Sequence, residues 1–401
     1  MEKKREVKVR EEMKIFFAGS EVMQIPNIPI SLGKMGHEIV LYDKSMEYVE
    51  EHEEEYAQFY TFLENTKADL IISTIFFQIV AAYSNQLGIK YAVYGMDSPH
   101  YAAWVPDYPQ LDNVYLFHFD KKEIEKFQEA GYHNVYYMPL AAGITWADTI
   151  KITDADKQEF ASDISFVGGL YGQNPYDKYL DKIPQEVQGY LMQLIEENAF
   201  LWDGEERLLQ KIPMELVSAC QQSAPGLGNH GFLMPDNYYF KQWVVARKLT
   251  NIERSLLFSL VAEQYDFRLY TRENEEVPEI IHKFPPVNAM QEQLKVFANS
   301  KINLNLTLRS IESGVPLRIF DIMSMHGMVM TDYRPDAEEL FKEDEEIVMF
   351  RSPEEMLDKI DFYLQHETVR EKIGEKAYRK VKDCYSYERQ LEKIIKVVRE
   401  K

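Results

Sequence analysis

The apolar and polar positions fall into two blocks that alternate short apolar runs with amphipathic ones. In the first third the runs at Lys14–Ala18, Glu38–Tyr42, Asp69–Ser73, Lys90–Tyr94, Val114–Phe117 and Asn134–Met138 have strand length. Between them, Met46–Leu63, Gln78–Gln86 and Lys122–Ala130 repeat apolar residues at helical spacing. Strand, helix, strand with short connections predicts a doubly wound parallel sheet. Residues Ala141–Ser162 turn polar and read as an interdomain linker. A second block follows, with strands expected at Asp163–Val167, Asp266–Tyr270, Lys301–Leu308, Met328–Thr331 and Ile347–Phe350. A largely helical insertion, about 184–245, separates its first two strands. Three helices close the chain. Ser352-Pro353-Glu354-Glu355 supplies an N-cap, a first-turn proline and a Glu three residues on, and Thr368-Val-Arg-Glu371 reads as a second capping box. The expected architecture is α/β: two facing Rossmann-like doubly wound parallel-sheet domains, 11–143 and 160–382, with the helical insertion in the second.

Composition narrows the function. The chain has 401 residues, 45 Lys+Arg against 66 Asp+Glu, and a net charge of −21. That balance argues against nucleic acid or an anionic membrane as partner. Cys220 and Cys384 are too few for a disulfide framework or a Cys-based zinc site and suit a reducing, cytoplasmic setting. The start, Met1 to Arg10, carries both signs of charge and no secretory apolar run. The longest apolar stretch, Leu70–Tyr83, is broken by Ser73, Thr74 and Gln78, short of the roughly 20 residues of a membrane span.

Open parallel sheets bind ligands beyond the carboxyl ends of their strands. In the second block those ends read Gly168-Gly169-Leu170-Tyr171-Gly172, Tyr270-Thr271-Arg272, Thr307-Leu308-Arg309 and Gly314-Val-Pro-Leu-Arg318-Ile-Phe-Asp321. Pro316 fits the first position of a helix running to about Met325, whose free N–H groups favour a phosphate. Arg318 could grip the same anion, and Asp321, three residues on, could reach sugar hydroxyls. The competing reading is an exposed Arg–Asp surface pair. The strand Lys301–Arg309 alternates Ile302, Leu304, Leu306 and Leu308 with Asn303, Asn305, Thr307 and Arg309. A polar face on a central parallel strand points to a site for Arg309, whereas Asn303 reads as packing on a partly exposed or edge strand. In the first block, Gly95-Met-Asp97-Ser-Pro-His100 sets a carboxylate and an imidazole at a strand end, as acid/base groups or as a plain turn.

Other signals fail. Gly226-Leu-Gly-Asn-His-Gly231 follows no strand and lies in the insertion, so it is no dinucleotide fingerprint. The first βα turn, Gly19–Pro26, lacks that glycine spacing too. The nine histidines show no paired metal spacing, and no Gly-x-Ser-x-Gly elbow is present.

Asp163-Ile-Ser-Phe-Val-Gly-Gly-Leu-Tyr-Gly172 and Ser300–Asp321, with Asp97-Ser-Pro-His100 and Asn134–Ala142, resemble the CgeB-type (spore-maturation-like) glycosyltransferases of the GT-B fold. The likeness runs over nearly the whole chain and is weakest in 184–245. It implies transfer of a sugar from a nucleotide-diphosphate donor, held by the C-terminal domain, to a protein, glycan or small-molecule acceptor on the N-terminal side, with no metal and no cofactor. It also implies a final helix, 386–401, that returns to the first domain. Related transferases place two carboxylates eight residues apart; here Asp321 stands at the second position, but Ser313, beside Glu312, at the first. The expected donor-binding set is Gly168, Gly169, Arg272, Arg309, Arg318 and Asp321. Asp97 and His100 are the catalytic candidates, and Lys283–Val287 is a loop near the base. A nucleotide-sugar epimerase and a non-catalytic assembly protein of the same descent are the alternatives.

Overall fold

The computed structural model describes residues 12–20, 26–106, 108 and 111–401. Six strands, β1 Lys14–Phe17, β2 Glu38–Leu41, β3 Leu70–Ser73, β4 Lys90–Tyr94, β5 Val114–His118 and β6 Val135–Tyr137, form one sheet in the order β2-β1-β3-β4-β5-β6. Six more, β7 Ser162–Val167, β8 Phe267–Tyr270, β9 Lys283–Phe284, β10 Ser300–Asn305, β11 Val329–Asp332 and β12 Val348–Phe350, form the second in the order β12-β11-β10-β7-β8-β9. Neighbouring strands run parallel, as buried apolar runs joined by helical crossovers require. Chain order reverses between β1 and β3 and between β7 and β10. Those are the points where a parallel sheet opens a crevice.

The expected elements need four corrections. Lys283–Phe284 is not a loop but the edge strand β9, with Phe284 packed 5.2 Å from Tyr270. The strand expected to reach Leu308 stops at Asn305, because the Thr307 N–H bonds the Asp332 carboxylate (2.7 Å) instead of continuing a ladder. Met46–Leu63 is broken at His52 into helices Met46–Glu51 and Tyr56–Thr66. The Thr368 capping box does not form, since that helix begins at Glu367 behind His366. Ser352 does cap its helix, accepting from the Glu355 N–H at 3.2 Å.

The polar stretch after β6 is ordered. It holds helices Ile144–Ala147 and Asp154–Phe160, the latter closed by a Thr153–Asp156 capping box. The chain returns alongside it: the Ala142 N–H donates to the Tyr385 carbonyl (2.8 Å), and Thr145 bonds Glu388. The last helix, Tyr387–Glu400, turns Leu391, Ile394, Ile395 and Val398 inward, and Lys90 of β4 donates to the Val398 carbonyl (2.7 Å).

One apolar cluster runs from Ile15 and Phe117 through Phe119 and Ala142 to Val315, Ile319 and Phe320, so the two halves share a core. Asp120, fully buried, fixes their approach. Its carboxylate accepts from the N–H groups of Glu312 (2.7 Å) and Ser313 (3.2 Å) and from the Ser98 hydroxyl (3.0 Å).

Candidate active site at the carboxyl ends of β7 and β10

Gly168 ends β7 with φ +147°, a conformation that side chains resist. A Cβ there would meet Arg318 Nη1 at 3.0 Å and the Phe166 ring at 3.2 Å, so only glycine lets the guanidinium this close to the backbone. The loop continues through Gly169, whose carbonyl accepts from Arg254 Nη1. Leu170 and Gly172 donate their N–H groups to Glu275 Oε1 at 2.9 and 3.1 Å. Tyr171 takes a positive φ of 60°, and its ring lies 5.2 Å from the Arg254 guanidinium and 5.5 Å from that of Arg247. Arg254 also donates to the Leu306 carbonyl beyond β10 (3.1 Å), tying together the two strand ends at the switch point.

Arg318 and Asp321 lie on the helix Leu317–Ser324, with Pro316 one position earlier than expected, as its cap; no side chain closes that helix end. The Arg318 guanidinium sits over the Phe166 ring, 5.6 Å from its centre. Its Nε is buried with no acceptor among the described residues, and burial holds its pKa below the ordinary arginine value. Asp321 is not its surface ion-pair partner. Burial pushes the Asp321 carboxyl up to about 7, with Arg318 countering only in part, and the Gln293 amide is 3.5 Å away. A half-buried cation and a half-buried acid with no hydrogen bond between them are groups placed to meet a third.

Other candidates land elsewhere. Arg309 is corrected from diphosphate ligand to structural clamp. It meets the fully buried Glu253 through Nε (2.9 Å) and Nη2 (2.6 Å) and donates to the Leu201 carbonyl (2.8 Å), which fastens the insertion to the helix Ala246–Gln264. Asn303, Asn305 and Thr307 are buried within a central strand and its exit, not at an edge; Asn305 bonds Thr307 (3.1 Å) and Thr331 (2.9 Å). Arg272 is exposed at the start of the loop that carries Glu275. Glu312 is held by Lys241, and Ser313 by Asp120 and Asp336, so neither turns toward Arg318.

His100 is corrected from acid/base candidate to buried packing. Its Nε2 accepts from the Phe76 N–H (3.1 Å), and burial first, then His118, lowers its pKa to about 3. The same turn presents Asp97 differently. Glu123, fully buried, grips the turn through the His100 N–H (2.8 Å) and the Ser98 hydroxyl (2.8 Å) and leaves the Asp97 side chain exposed. The protein around it still raises the Asp97 pKa, opposed by His118 and by Arg247 of the other half. The turn is thus structural at His100 and open at Asp97.

Sequence reasoning missed Arg254, Arg247 and Glu275. The two arginines lie in a long amphipathic helix, where a cation ordinarily reads as solvated.

Residues 251–396, which contain Arg254, Arg318 and Asp321, match the family described as Glycosyl transferase-like. Among solved structures, sucrose-phosphate synthase from Thermosynechococcus elongatus superposes with a TM-score of 0.55 at 8% identity, over 97% of this chain and 99% of that one. HepE of Anabaena with UDP-glucose gives 0.52 at 11%, over 97% and 100%. An alpha-glucosyltransferase in complex with UDP-glucose and DNA containing an abasic site gives 0.52 at 12%, over 97% and 100%. No curated protein sequence matches. The chain has the GT-B fold, two parallel six-stranded sheets with flanking helices, and its residues 251–396 are similar to the glycosyl transferase-like family.

Proposed function

We propose that the protein transfers a sugar from a nucleotide-diphosphate donor to an acceptor hydroxyl. The observation that carries this is the half-buried Arg318 guanidinium, whose buried Nε has no acceptor among the described residues and which lies against the open backbone of Gly168. A diphosphate fits that corner: Gly168 and Gly169 admit its oxygens, Arg318 donates to them, and Arg254 and the uncapped helix at Leu317 add positive potential. Asp321 accepts from ribose hydroxyls. With two guanidinium groups and a helix end present, the departing charge needs no metal. In the transfer step the acceptor oxygen bonds the anomeric carbon, the carbon–phosphate oxygen bond breaks, and its electron pair leaves with the diphosphate. The acceptor proton passes to Asp97. Residues 160–382 hold the donor, and residues 11–143 bring Asp97 to the acceptor. UDP is the first nucleotide to test, because the Anabaena and alpha-glucosyltransferase neighbours were solved with UDP-glucose. The Gly168–Gly172 and Ser300–Asp321 stretches support kinship with the CgeB-type transferases.

Mass spectrometry of the protein with a panel of nucleotide sugars, in EDTA, tests this reading. Release of nucleoside diphosphate, with the sugar mass appearing on water or acceptor, is the expected result. Conversion of the donor sugar to an isomer without acceptor would instead make the protein an epimerase.

A further inference from the structure

Beside the donor corner lies a cavity of about 990 Å³ that the reading above leaves unassigned. Tyr101 of the N-terminal half forms one wall; Asn174, Tyr179, Tyr239, Trp243 and Arg247 of the C-terminal half form the others. The aromatic rings cluster: Tyr101 lies 5.7 Å from Trp243 and 5.8 Å from Tyr239. Trp243 stands in a single π-helical turn, Lys241–Val245, a local irregularity that often marks a functional position. Arg247, one turn further, stacks on Trp243 at 4.1 Å.

Two polar atoms on these walls are buried without partners among the described residues, the Tyr101 hydroxyl and Arg247 Nε. Asp177 on the rim is matched by Lys248 (2.8 Å), so it does not satisfy them. Arg247 also joins this cavity to the donor corner, since it lies over Tyr171 of the glycine loop and acts on Asp97.

We infer that this cavity is the acceptor subsite and that its ligand is a saccharide; the inference rests on the transferase reading. Ring faces cover the C–H face of a pyranose, while the Tyr101 hydroxyl, Arg247 and the polar rim at Asn174 meet its hydroxyls. The volume is at the upper end of the roughly 300–1,000 Å³ of small-molecule sites, enough for more than one ring. A flat apolar ligand would leave Tyr101 and Arg247 unpaired.

Trp243 is a built-in reporter. Titration of the full-length protein with methyl glucoside, maltose and cellobiose, with and without UDP, is expected to change tryptophan emission saturably for at least one sugar. Trp243→Phe removes the optical change, and Trp243→Ala weakens binding measured by calorimetry about tenfold or more. Tyr101→Phe, which keeps the ring, weakens it less and guards against misfolding of the alanine variant. UDP titrations of the same samples separate the failures. UDP binding with no response to any of the sugars overturns the saccharide assignment alone, as does a response only to a tyrosine-containing peptide. Absence of binding by the wild type to UDP, GDP, ADP, CDP and dTDP alike overturns the donor reading beneath it.

Discussion

Arg309 and Arg318 are close in sequence and opposite in state. Arg309 is satisfied by the fully buried Glu253, and removing it strands that carboxylate, so Arg309→Ala is expected to destabilise by about 3–5 kcal/mol in denaturant unfolding. Arg318 Nε has no acceptor among the described residues, so Arg318→Ala should cost little stability. Asp321 supplies a pH signature. Its carboxyl is raised from the ordinary 3.8 to about 7, so across that window the folded state holds a proton that the unfolded state has released. Stability therefore falls as pH rises from about 4 to about 7 and levels off above, and Asp321→Asn should flatten that slope. Denaturation midpoints in a pH series measure it. Arg318 and Asp321 stand out in the sequence because strand ends in a parallel sheet are where ligands bind. Arg254 does not, since its partners, the carbonyls of Gly169 and Leu306, are backbone groups that no residue pattern reports.

At the scale of elements, turns decide what the site contains. The Asp97–His100 turn is locked by Glu123 and Asp120, which buries His100 and exposes Asp97; the sequence shows both residues side by side but not which faces the cleft. Asp120 also receives the turn Glu312–Ser313 from the other half. Asp120→Ala leaves those N–H groups without an acceptor, at about 1–3 kcal/mol for each one left buried and unpaired, and is expected to lower the melting temperature and loosen the two halves together. Calorimetric scanning checks it: an unchanged transition would show the turn is held by other contacts. The apolar runs predicted eleven of the strands because parallel strands buried on both faces leave such runs. They missed β9, a two-residue edge strand with nothing periodic in it, and overran β10, where a buried Asn305–Thr307–Thr331 network ends the ladder.

Over the whole molecule, an acidic chain of net charge −21 concentrates Arg247, Arg254 and Arg318 around one glycine loop. Three guanidinium groups there outnumber the carboxylates of Glu275 and Asp321, which leaves the corner cationic in a chain that is acidic overall. The shared core and the Asp120 contact join the half that carries Asp97 to the half that carries that loop. The most direct test is calorimetric titration of UDP into the wild type and Arg318→Ala, with melting temperature measured on both. The account predicts saturable binding to the wild type and about tenfold to hundredfold weaker binding to the variant, from loss of a charge-assisted hydrogen bond, at nearly unchanged melting temperature. Equal affinity in the two proteins would contradict it.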